Sequence, residues 1–168
     1  FDNSPDVPVT TESSTQSENS IFVDPNDNLV ALNSNNSTPA NGGSVYGADY
    51  LYTEDFAATW DGSINGPNGS NSGDPAACIG TDGRWYVGYI SNGGQGVSYS
   101  DDQGDSWTKV QVAGAPGSGW SDLADKNHMW IDAKQGSPYE NYLYNAWTDF
   151  GGPFDNEIAL QRSMDRGE

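Results

Sequence analysis

Apolar residues fall along this chain in short runs: Ile21-Phe22-Val23, Leu29 to Leu32, Tyr50-Leu51-Tyr52, Ala77-Cys78-Ile79, Trp85 to Ile90, Val97-Ser98-Tyr99, Met129-Trp130-Ile131, Tyr142 to Trp147 and Ile158-Ala159-Leu160. Many are aromatic or β-branched. Between them lie clusters of turn residues, such as Asp24-Pro25-Asn26-Asp27-Asn28, Thr81-Asp82-Gly83 and Lys134 to Pro138. Short apolar runs punctuated by Gly, Asn, Asp and Pro read as strands and tight turns. No stretch keeps a period of 3.6 over three turns, so the pattern predicts no substantial helix. The expected class is all-β.

The chain also repeats itself, and a fixed period decides the fold reading. The segment Ser100 to Trp107 has the pattern Ser-x-Asp-x-Gly-x-Ser-Trp. A weaker copy runs from Thr53 to Trp60, with Ala57 in place of the glycine. A third begins at Ser163-Met164-Asp165-Arg166-Gly167. Each copy follows a strand, and upstream of each lies an acidic residue, a strand, a turn and a second strand. Those acidic residues are Glu18, Asp74 and Asp125. A further strand follows the second copy as Thr108 to Val112. The unit is thus four antiparallel strands over about 50 residues, the size of a propeller blade.

In these motifs the chain resembles the BNR-repeat (Asp-box) propellers of the sialidase-like superfamily. The resemblance is strongest to secreted bacterial members whose blades open as Ser17 to Ile21, Gly73 to Ala76 and Asp125 to His128 do here. It implies a β-propeller of four-stranded antiparallel blades, with about three blades present. The lead-in would cover residues 1–17 and the blades about 18–73, 74–124 and 125–168. Three blades are fewer than a closed propeller needs, so the expectation is a piece of a larger propeller. The remaining blades of the same polypeptide would be its first partners.

The resemblance also assigns the box residues Thr53, Asp55, Thr59, Trp60, Ser100, Asp102, Gly104, Ser106, Trp107, Ser163, Asp165 and Gly167 to structure. The hydroxyls and carboxylates would bond turn backbone, the glycine would take a left-handed conformation, and the tryptophan would pack between sheets. Carboxylates invite a catalytic reading, but this motif recurs in every unit whereas an active site occurs once. Strand parity then places the box turns on one face and the candidate site on the other. That second face would hold Glu18, Asp74, Asp125, Lys126 and His128, with the loops Asn33 to Gly47, Ser91 to Gln95 and Asp149 to Asn156. The three acids either cap backbone at the start of inner strands or form a polar-ligand or Ca²⁺ site. His128, the only histidine, is expected to be packed or hydrogen-bonded in place.

The chain has 168 residues and a formal net charge of −18, from six Lys plus Arg against 24 Asp plus Glu. Nucleic acid is therefore excluded as a partner, since it requires a basic footprint. An acidic surface suits a soluble exported protein, and no apolar stretch reaches membrane-spanning length. The first residues, Phe1-Asp2-Asn3, carry no initiator Met or signal peptide, as in a processed protein. Cys78 lies in an apolar run and reads as a buried thiol. The sequons at Asn35, Asn36 and Asn68 carry weight only in a glycosylating host.

A sialidase clamps its substrate's carboxylate with three arginines, the first in a Phe/Tyr-Arg-Ile-Pro motif on the first inner strand. Here that place reads Glu18-Asn19-Ser20-Ile21. An acidic residue there repels a carboxylated sugar. Sialic-acid cleavage by that machinery is not expected. Three classes remain open: a propeller domain presenting a glycan- or protein-binding face, with Trp120, Trp130 or Trp147 for stacking; another glycoside hydrolase; or an architectural cell-surface or adhesin part.

Overall fold

The computed structural model describes residues 5–13, 15–38, 47–69, 71–119 and 121–168. Twelve strands form three antiparallel sheets among these residues, with one three-residue 3₁₀ turn at Gly152–Phe154. The first sheet contains β1 (Thr15–Val23), β2 (Ala31–Thr38), β3 (Gly47–Ala48), β4 (Tyr50–Thr53) and β5 (Asp61–Ser63). Its order is β1-β2-β4-β5, with β3 pairing β2. The second runs in plain sequence order through β6 (Ala76–Ile79), β7 (Trp85–Ser91), β8 (Gly94–Ser100) and β9 (Thr108–Ala113). The third pairs β10 (Leu123–Ile131), β11 (Leu143–Phe150) and β12 (Glu157–Ser163). The all-β expectation holds.

Two boundaries differ from the sequence reading. Strand β1 begins at Thr15, so the end of the polar lead-in is already sheet, pairing Thr15 with Thr38. Polar residues are tolerated there because that part of β1 faces solvent. Likewise Asn33 to Thr38 is not loop but the far half of β2, its asparagines and serines bonded inside the sheet. Residues 39–46 of that expected loop lie outside the described residues.

The sheets stack face to face, with the second between the other two. Strand β7 is buried along its whole length, as a strand covered on both faces must be. Its alternation divides the core. Trp85, Val87 and Tyr89 point to the first sheet, joining Val30, Leu32, Ala77 and Ile79, with Tyr50, Tyr52 and Trp107 packed on them. Tyr86, with Ala76, Cys78 and Val97, faces Met129, Ile131 and Leu143 of the third sheet. Each fully buried large apolar side chain contributes about 1.5–3 kcal/mol. Between β7 and β10 a glycine is required: a β-carbon at Gly88 would lie 2.5 Å from Asn127 Oδ1. Cys78 is buried and unpaired, and burial pushes its thiol well above the usual range.

The first strands β1, β6 and β10 come together. The Ser20 hydroxyl accepts a bond from the Ala77 amide at 3.0 Å, and Phe22 meets Trp130 edge-on at 5.7 Å. One end of the stack carries the turns β1–β2, β6–β7 and β10–β11, linked by Asn26 Nδ2 to Thr81 O at 2.9 Å and Thr81 N to Asn141 Oδ1 at 2.8 Å. The turns after β4, β8 and β12 belong to the same end, since the Phe56 amide bonds Leu29 O and Arg84 bonds Asp101.

Candidate functional site

At the turn end, one bonding pattern recurs three times. The Ser100 hydroxyl donates to Asp102 Oδ1 (2.7 Å) and accepts from the amides of Asp102 and Gly104 (3.3 and 2.8 Å). Asp102 then accepts from the amide and hydroxyl of Ser106 (2.8 and 2.6 Å). Thr53, Asp55, Ala57 and Thr59 repeat every bond. Ser163, Asp165 and Gly167 repeat the first three. The bonds from Ser106 and Thr59 hold the Asp102 and Asp55 carboxyls below the usual range, as expected for a carboxylate that only accepts. The fifth residue is left-handed each time: Ala57 at φ 63°, Gly104 at 95°, Gly167 at 81°. Trp107 lies against Tyr50 of the first sheet at 5.0 Å. Trp60, half-buried, lies beside residues 7–12.

Arg84 is buried at this same end. Its guanidinium takes both carboxylate oxygens of Asp101 (2.7 and 2.8 Å), reaches Glu168 and Arg166 O, and stacks 4.0 Å over Tyr99. Burial opposes its charge, but the Asp101 bonds outweigh it and the pKa stays above the usual value. Arg166 closes the cluster on Asp82 at 2.5 Å. These arginines tie the second sheet to the third and share the Asp101 carboxylate.

The opposite end is built differently. Glu18, Asp74 and Lys126 have φ values of 53°, 57° and 56°, the left-handed region that side chains resist. Glu18 and Lys126 sit at matching register shifts in β1 and β10, and Asp74 stands just before β6. The structural counterpart of Glu18 and Asp74 in the third repeat is therefore Lys126, not Asp125. The sequence reading aligned acids and fell one residue short, because the backbone conformation sets the register, not the charge. Lys126 Nζ donates to Glu18 Oε2 at 2.8 Å and its amide to Asp74 Oδ2 at 2.9 Å. The Asp74 amide donates to Asn36 Oδ1 at 2.8 Å. Glu18 thus bonds the ammonium of Lys126 and Asp74 its backbone amide, while Asp125 is half-buried beside them.

Glu18 and Lys126 border a cleft of about 310 Å³ between β1, β6 and β10, lined also by Ser20, Phe22, His128 and Trp130 among others. Among the described residues no group of three or more His, Cys, Asp and Glu is placed to hold a metal ion. Glu18, Asp74 and Asp125, the residues of the expected Ca²⁺ site, do not form such a group, and Glu18 is paired with the Lys126 ammonium instead. His128 also departs from expectation. It is exposed, because β10 alternates and its neighbours Asn127 and Met129 take the buried face. Of the tryptophans considered for stacking, Trp130 is 61% exposed while Trp147 is 7% exposed and belongs to the core. Trp120 lies outside the described residues. Strand parity in β10 is the one sequence signal that separates these tryptophans.

No family model and no curated protein matches the sequence. Solved structures do match the fold. The chain superposes on a Hadza microbial sialidase, Hz136, with a TM-score of 0.58 at 14% identity, covering 92% of this chain and 32% of that one. The Bacteroides ovatus xyloglucan PUL protein GH43B gives 0.54 at 18% identity, covering 91% and 27%. A protein of unknown function from Dyadobacter fermentans gives 0.58 at 16%, covering 94% and 53%. The chain thus spans about a quarter to a half of the chains it matches. Its sheets have the β-propeller-like fold found in glycosidases.

Proposed function

We propose that the chain is part of an Asp-box β-propeller of an exported protein, and that the cleft between β1, β6 and β10 binds a glycan. The observation that carries the reading is Trp130, an exposed indole beside the Glu18–Lys126 pair and His128. An accessible aromatic face flanked by hydroxyl-bonding charged groups is the chemistry that holds a sugar ring. The three turns with one bonding pattern support reading them as Asp boxes, and the glycosidase folds support the carbohydrate class. Extracellular or cell-surface placement follows from the same reading and from the acidic surface. Further blades, other glycans, or surface and secretion proteins would be its partners, with neither nucleic acid nor membrane insertion involved.

Hydrolysis is the second reading, favoured by the sialidase and GH43 structures. It would not extend to sialic acid here: Arg84 and Arg166 are held at the turn end, Arg162 stacks over Tyr142, and the cleft presents Glu18. The test is a glycan array followed by a fluorogenic glycoside panel, on the parent protein and its Trp130→Ala variant. Retention of a glycan that falls about tenfold or more in the variant supports the binding site. Retention of none, or retention indifferent to Trp130, overturns it. Turnover abolished by Glu18→Gln would move the reading to the enzyme.

A further inference from the structure

At the cleft end, Asp74 and the segment around Lys126 each meet a carboxamide from the preceding sheet. In the first gap Asn36 of β2 bonds Asp74 twice, accepting from its amide at 2.8 Å and donating to its Oδ1 at 3.4 Å. In the second gap the group is Gln95 of β8, which is fully buried. Its Nε2 donates to Ala124 O at 2.7 Å. Its Oε1 accepts from Asn127 Nδ2 and, at 3.5 Å, from Asn145 Nδ2. Both asparagines are buried too. A buried carboxamide is tolerated because such bonds offset its desolvation, and removing it leaves its partners unpaired.

Where these bonds fall matters more than their number. Ala124 precedes the register shift of β10 and Asn127 follows Lys126 within it, so one carboxamide holds the chain on both sides of Lys126. Ala124 is held a second time from the same hairpin, its amide donating to Gly93 O at 2.8 Å. Asn127 is seated against Gly88, where a β-carbon would collide with it. Gln95 is itself pinned, since Gln111 Nε2 donates to its carbonyl at 3.1 Å across the register shift between β8 and β9. Lys126, at φ 56°, then turns its ammonium to Glu18 and its amide to Asp74. A long side chain persists in the left-handed region only where its surroundings over-determine it. Gln95 supplies that constraint from outside the cleft lining.

We propose that Gln95 is a positioning residue for the cleft: from β8 it holds β10 on both sides of Lys126 and so sets Lys126 opposite Glu18. Its effect on glycan retention rests on the cleft reading above, whereas its effect on Lys126 does not. The groups that meet the carboxamide, Asn127, Asn145 and the Ala124 carbonyl, are uncharged. The role is therefore one of hydrogen-bond geometry, not of charge.

Gln95→Met keeps the length of the side chain and removes its bonds to Ala124, Asn127 and Asn145. Ser98→Ala is the control, because the Ser98 hydroxyl bonds Tyr89 from the same strand but toward the first sheet. Urea unfolding, amide exchange at Lys126 and retention on a glycan array are read for both. In Gln95→Met, protection of the Lys126 amide and the affinity for any retained glycan should each fall about tenfold or more. Ser98→Ala should lose stability yet leave both unchanged. Protection within about twofold of the unsubstituted protein in Gln95→Met, or an equal fall in Ser98→Ala, would overturn the proposal. Lost protection with unchanged glycan affinity would overturn it as well, since the placement of Lys126 would not serve recognition. If the unsubstituted protein retains no glycan, the cleft reading fails, and exchange at Lys126 still decides the part played by Gln95. Where Gln95→Met does not fold, Gln95→Glu carries the test, because its carboxyl donates to Ala124 O only when protonated. Its Lys126 protection should match the unsubstituted protein at about pH 5 and fall below it at about pH 8. Protection matching at both would count against Gln95.

Discussion

The two ends of this molecule obey opposite rules. At the turn end, three repeats keep the same hydroxyl–carboxylate–amide bonding, with corresponding distances within 0.2 Å between the first two copies. At the cleft end they keep the same backbone, a left-handed residue at the start of each inner strand, yet place Glu18, Asp74 and Lys126 on it. Repetition with constant chemistry is what an element needs to hold sheets in register. Constant backbone with varied chemistry leaves side chains available for one asymmetric task. The strain at these three positions costs about 1 kcal/mol or more each, and two of them, Glu18 and Lys126, bring opposite charges to a common cleft.

The comparison breaks most readily at Arg84. Replacing it in Arg84→Met removes the bidentate bond to Asp101 and the bonds to Glu168 and Arg166 O while keeping the packing on Tyr99. The expected loss is about 2 kcal/mol of unfolding free energy in urea denaturation. A loss below 0.5 kcal/mol (roughly the scatter of surface substitutions) would show that the turn end is not the locked one.

Acid should loosen the same end. The Asp101, Asp102 and Asp55 carboxyls are depressed by bonds from Arg84, Ser106 and Thr59 respectively. Their contribution is complete above the unfolded value, about 3.9, and is lost as pH falls through their folded values. Asp49 runs the other way: burial raises its carboxyl despite bonds from Asn35 and Ser37, so protonation there favours the fold. The melting temperature should fall between about pH 5 and pH 2, and less steeply in Asp102→Asn. Equal slopes in the two proteins would remove Asp102 from the account.

Ala57 offers a gain. It stands at φ 63° where the other repeats have glycine, so Ala57→Gly should relieve strain and stabilise by about 0.5–1 kcal/mol. Thermal melting that shows destabilisation would mean the Ala57 side chain contributes packing that outweighs its backbone cost.

The smallest effect belongs to the cleft. Lys126 and Glu18 are exposed, with side chains 55% and 43% accessible, so Lys126→Ala should change stability by no more than about 0.5 kcal/mol. Glycan retention should nevertheless change. A large loss of stability with unchanged binding would reverse the roles assigned to the two ends.

The sequence by itself determined a good deal. Short apolar runs between turn residues made the chain all-β, since they suit pleated strands and cannot form a helical face. The recurrence of Ser/Thr-x-Asp fixed where the hairpins fall, because that chemistry is local: hydroxyl, carboxylate and amide lie within a few residues of one another. It also marked Glu18, Asp74, Lys126 and His128 as belonging to one end.

What the sequence left open was every choice made by distant parts of the chain. Asp125 seemed the third acid, and only the register shift between Asp125 and His128 showed that Lys126 holds the equivalent place. The pairing of Glu18 with the ammonium of Lys126, 108 residues away, is not legible in the sequence. Trp130 and Trp147 are alike as letters; one lies exposed because it pairs with Tyr144 on the outer face of the third sheet, and the other lies in the core because it shares the inner face with Leu143. Local bonding is written in neighbouring residues, whereas burial and pairing depend on which sheet packs on which, and that was decided only in three dimensions.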